Sequence, residues 1–169
     1  MASGGFGSTT GSAPSQALIE QKLRAEQIVK NGAGWFLAIG GLSILNSVLT
    51  MSGTHFTFIF GLGITQIVDA IGRQSGTTGS TLGLIVNLFI AGIFVGFWNF
   101  ARNGEKWAFL TGMVLYAIDG LILLPFKDIL GVAFHAYALF RIYGGMQGVP
   151  VLEKIRQALA PAGAPIEPR

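Results

Sequence analysis

Residues 81–101 form a run without a single charged side chain, and that run constrains the fold more than any other feature. As a helix it reaches about 30 Å, the thickness of the bilayer hydrocarbon. Four further apolar runs accompany it, at 34–51, 56–71, 107–125 and 129–143, the last extendable to Val149. Charged residues make up only 11% of the chain. A water-soluble surface needs roughly 25%, so much of this surface is expected to face lipid. The predicted fold class is an all-α integral membrane protein, a polytopic helical bundle.

Four segments are expected at the level of organisation. Residues 1–14 are a flexible Gly/Ser-rich tail. Residues 15–32 form an N-terminal surface helix at the membrane, with Ser15 as N-cap and Asn31-Gly32 as its end. Glu20 to Arg24 and Glu26 to Lys30 are helix pairs four apart in the favourable orientation. Residues 33–149 are the transmembrane bundle. Residues 150–169 are a short helix followed by a Pro/Ala-rich tail.

The run at 56–71 is the ambiguous one. It reaches only about 24 Å as a helix, and it contains Gln66 and Asp69. If all five runs cross, basic residues divide almost evenly between the two sides. If 56–71 dips in and returns, only Arg73 and Lys127 lie opposite the remaining basic residues. Positive charge concentrates on the cytoplasmic side of membrane proteins. The expectation is therefore four spans plus one short re-entrant or fifth segment, with both termini cytoplasmic. In general make-up the chain resembles small bacterial membrane proteins, which implies a bacterial inner membrane.

Composition excludes several chemistries. No cysteine is present, so disulfides and thiolate ligands are ruled out. No Walker A, G-x-S-x-G, H-E-x-x-H or Rossmann motif occurs. The basic residues form no nucleic-acid patch. The reading is that the chain is not an enzyme and carries no cofactor or metal. A haem or pigment on His135 lacks a paired ligand, since the only other histidine, His55, lies in a loop.

The informative side chains are polar ones placed deep in apolar runs. Asp119 sits about twelve residues into the fourth run. A carboxylate there costs about 2.5–3.5 kcal/mol and must face protein, water or a proton. Its candidate partners are the amides Asn46, Asn87 and Asn99, and above all His135. The tight hairpin between the fourth and fifth runs sets Asp119 and His135 at similar depth, and imidazole titrates near neutrality. The pair can relay protons or fix helix register, and the static role is favoured. Asp69 and Arg73, four apart, read as a terminal salt bridge, with Gln66 one turn earlier.

Small residues four apart mark faces where helix backbones approach. Such pairs are Gly92 with Gly96, Ser43 with Ser47, and Gly144 with Gly148. Trp35, Trp98 and Trp107 fall at the ends of runs and read as interface anchors, as does Arg141 through its long side chain. Two functional classes fit. One is a small non-catalytic accessory subunit that packs in the bilayer against a larger membrane complex or copies of itself. The other is a small homo-oligomeric transporter or channel, with Asp119 and His135 on a proton or cation pathway.

Overall fold

The computed structural model describes residues 13–52, 62–74 and 76–160, and every regular element among them is helical. The elements are α1 (Ala13–Met51), α2 (Gly63–Gln74), α3 (Gly76–Ala101), α4 (Lys106–Ile122), a 3-10 turn (Leu124–Phe126) and α5 (Ile129–Leu159). Four helical stretches are long and apolar enough to cross a membrane: Gln16–Leu49, Thr81–Ala101, Lys106–Phe126 and Ile129–Leu159. Their outward faces carry large apolar side chains such as Phe89, Leu121 and Phe140, all well exposed. Lipid solvates such a surface and water does not. The chain is a helical membrane protein.

The four long helices alternate in direction and close into a ring. α1 packs against both α3 and α5, and α4 joins α3 to α5. One end of the ring is dry and aromatic. The Phe36 ring meets those of Phe94, Phe97 and Phe109 at centroid distances of 5.9–6.3 Å. Gly112 makes room for it, because a Cβ there would lie 2.6 Å from the Phe36 ring.

Two boundaries differ from expectation. α1 runs unbroken for 39 residues, so the surface helix at 15–32 is not a separate element. At about 58 Å, α1 is far longer than the hydrocarbon is thick. Gly32 does not end a helix; it lies against Gly145 of α5, backbone to backbone, where a Cβ on either glycine would clash. The short helix after residue 150 is likewise the end of α5, which continues through Pro150. Pro150 is exposed, while Val149, Leu152 and Ile155 are buried, and that packing outweighs the lost backbone hydrogen bond. In the 56–71 region the described helix is α2, Gly63–Gln74; residues 53–61 lie outside the described residues.

The small-residue faces, whose spacing fits contacts within the chain or with a partner alike, are only partly filled within the chain. Ser43 and Ser47 are buried between helices. Gly92 and Gly96 are not helix-packing positions within this chain, since a Cβ on either would meet nothing within 4 Å. They sit beside the face of α3 that turns inward through Asn87, Ala91 and Phe94. Gly144 is open as well; the packed glycines of α5 are Gly145 and Gly148, the latter against Ile28 and Val29.

Candidate functional site: a carboxylate and a histidine at the start of a short helix

α2 has 12 residues, about 18 Å of helix, and cannot cross a bilayer. Its start is deep in the bundle. The Leu62 N–H donates to the Ser43 hydroxyl (2.9 Å), and Ser43 lies nine positions before Ser52 at the end of α1. Along a helix that is about 13 Å. α2 then runs back to meet the start of α3.

The first turn of any helix has N–H groups without helical acceptors. In α2 these reach Asp119. The Gly63 N–H donates to Asp119 Oδ2 (2.7 Å), and the Ile64 N–H to Oδ1 (2.8 Å). The carboxylate also lies at the positive end of the α2 dipole. His135 Nε2 is 2.9 Å from the same Oδ2, and His135 Nδ1 is 2.8 Å from the Gly131 carbonyl. Both side chains are buried. The Tyr116 ring stacks on the imidazole at 4.3 Å, 16° from parallel, and the Tyr116 hydroxyl is buried without a partner among the described residues. Below Gly131, Asp128 caps α5 by accepting that residue's N–H (2.9 Å).

A second polar group holds the middle of α2. The Ser47 hydroxyl donates to Asp69 Oδ2 (3.1 Å), and the Asn87 amide donates to Asp69 Oδ1 (2.6 Å) and to Ser47 Oγ (2.8 Å). All three side chains are buried, and Asn87 Oδ1 lacks a partner among the described residues. α2 is thus held at its tip from α4 and at its middle from α1 and α3.

The structure brings Asp119 and His135 together and separates both from the amides. Asn87 serves Asp69, Asn46 is buried in α1, and Asn99 is exposed near the far end of α3. The side chains of Gln66 and Arg73, and all of His55, lie outside those described, and with them the expected Asp69–Arg73 bridge. Trp35 packs on Phe134 and Tyr137 midway along α1 rather than at a helix end. Trp98 lies under the Arg102 guanidinium at 4.3 Å, Trp107 is exposed beside Phe100, and Arg141 approaches the Trp35 ring at 5.9 Å. Among the described residues no cluster of three acidic, histidine or cysteine side chains is placed to hold a metal.

Sequence reasoning missed the backbone partners of Asp119. Free N–H groups carry no residue signature, and the start of α2 is visible only once its first residue is known. A cleft of about 270 Å³ between α3 and α4 has Asp119 in its lining; the other lining residues, including Leu62, Ile90, Phe94 and Leu115, are apolar. Comparison with protein families, curated proteins and solved structures finds no match to this chain.

Proposed function

We propose that this is a small non-catalytic integral membrane protein that packs in the bilayer against other membrane subunits or copies of itself. In this reading α2 is a re-entrant segment, and Asp119 and His135 are the static pin that holds its tip. The observation that carries the reading is saturation. Asp119 accepts two backbone N–H groups and faces His135, and both nitrogens of His135 are engaged within the chain. A group on a transport pathway needs an open coordination position and a polar approach; the cleft that reaches Asp119 is apolar.

The orientation follows from charge. Lys22, Arg24, Arg102, Lys106, Lys154 and Arg156 share one end of the ring, and Lys127 lies at the other. By the positive-inside rule the first end, and with it both termini, faces the cytoplasm, and the bacterial inner membrane is carried over from the general make-up of the sequence.

Native extraction in mild detergent, with size analysis and mass spectrometry, tests the subunit role. Other membrane proteins or a stable oligomer of this chain are expected in the particle, and an isolated monomer would contradict the role. Proton and sodium flux into vesicles containing the purified protein tests the transport reading. Flux that Asp119→Asn abolishes would establish that reading in place of the static pin.

A further inference from the structure

The seam between α3 and α4 changes along its length. Near the turn that joins the two helices, Phe97, Ala101, Ala108 and Phe109 are all buried. Farther along, the seam opens into the cleft of about 270 Å³, with Leu62 and Ile64 of the α2 start in its lining. Its rim faces outward, since Ile93, Leu115 and Ile118 are exposed. In a membrane that rim is bathed by lipid. Asp119 is the one polar side chain among the described lining residues. Its two oxygens already face the Gly63 N–H, the Ile64 N–H and His135. The cleft therefore makes no polar demand on an occupant, and a hydrocarbon chain suits it.

Depth and charge say which chain. Ile93 and Ile90 lie nine and twelve positions before Arg102, about 14 and 18 Å along the helix. One leaflet of hydrocarbon is about 15 Å deep, half of the bilayer core. A chain hung from the α3–α4 turn thus ends in the cleft. Trp107, Thr111, Leu115 and Ile118 give it a track, an exposed stripe at helical spacing down α4. At the top of that stripe the Trp107 ring lies 5.2 Å from that of Phe100, which is also exposed. Arg102 and Lys106 bound the turn, and Arg156 Nη1 reaches within 3.6 Å of where a Cβ on Gly104 would lie. Among the described residues none of these three cations forms an ion pair. Glu105 in the same turn offsets one of them, and two positive charges remain in excess. At the other end of α4, Lys127 stands next to Asp128, and no such excess exists.

We propose that this seam binds one anionic phospholipid. The phosphate sits at the turn among Arg102, Lys106 and Arg156, and one acyl chain follows α4 into the cleft. The charge selects the headgroup, and the cleft holds the chain end. There the chain covers Asp119 and the first turn of α2 and keeps water from their hydrogen bonds. Such a site requires only the helical membrane fold and is independent of the subunit role. Each basic residue beside an anionic headgroup is worth about fivefold in affinity. Two in excess give a preference of about 25-fold over a zwitterionic headgroup.

Photolabelling of the full chain in phosphatidylcholine nanodiscs tests the site. The probe is phosphatidylglycerol with a diazirine at the end of one acyl chain, added at low fraction. Adducts mapped by mass spectrometry should concentrate in residues 90–94 and 115–122, well above the exposed face of α5 around Phe140. The same probe with a phosphatidylcholine headgroup should label the cleft about 25-fold less. The triple variant Arg102→Gln/Lys106→Gln/Arg156→Gln changes only exposed side chains and should bring the two probes level, with the thermal midpoint unchanged. Ile118→Trp narrows the rim and should reduce labelling by both. Adducts spread evenly over the outward faces would overturn the site and leave only ordinary boundary lipid. Equal labelling by the two probes in the wild type, or a preference that survives in the triple variant, would overturn the anionic assignment. Millimolar inorganic phosphate should not compete; if it did, the turn would be a site for soluble phosphate and the lipid would be ruled out.

Discussion

The two ends of the ring are held by opposite means. Toward the start of α1, the helices meet through dry contacts: Gly32 on Gly145, and the Phe36 ring among Phe94, Phe97 and Phe109. Toward the start of α3, buried contacts include Ser43, Ser47, Asp69, Asn87, Asp119 and His135. The difference follows from what each end must hold. Long helices satisfy their own backbones, so packing suffices for them. α2 begins inside the bundle with unpaired N–H groups, and only polar side chains can satisfy them there. Intramembrane polarity in this protein follows the irregular backbone.

The comparison breaks first at Asp119. Asp119→Ala leaves the Gly63 and Ile64 N–H groups and His135 without their acceptor, a loss of about 3–5 kcal/mol by analogy with broken buried pairs. Limited proteolysis should then cut within 62–74 while the four long helices stay protected. Loss of all helices together would mean that the two ends are one cooperative unit.

Phe36→Ala is the matching test of the dry end. It should cost about 3–4 kcal/mol by opening a cavity among three rings. Thermal unfolding in detergent should show the midpoint falling for every helix, with the Gly63 amide still protected at temperatures below it.

Asn87→Ala removes a donor to Asp69 but spares the tip of α2, so about 1 kcal/mol is expected, typical of polar contacts between membrane helices. Hydrogen exchange should rise in the middle of α2 more than at Gly63. The smallest effect belongs to Gly92→Leu with Gly96→Leu. Both positions are open, so fold stability should change by less than about 0.5 kcal/mol. Any loss of association in native gels would then locate a partner on this face of α3.

Hydrophobic run length is a local property, and the sequence alone determined what depends on it. The helical membrane class and the long helices at 81–101, 107–125 and 129–149 follow from the length of the apolar runs set against bilayer thickness. Similar depth for Asp119 and His135 was also legible, because a tight hairpin couples their positions. What tertiary structure decided was direction and partnership. Asn31-Gly32 carries the local signature of a helix end, yet Gly32 serves a backbone crossing with Gly145 over a hundred residues away. Gly92 and Gly96 have the spacing of a packing face, but the rotation of α3 turns them outward. Asp119 was paired from its side-chain neighbours, while two of its partners are main-chain N–H groups of a helix whose start no residue type announces. Spacing fixes which residues share a helix face, but only the packed bundle fixes where that face points.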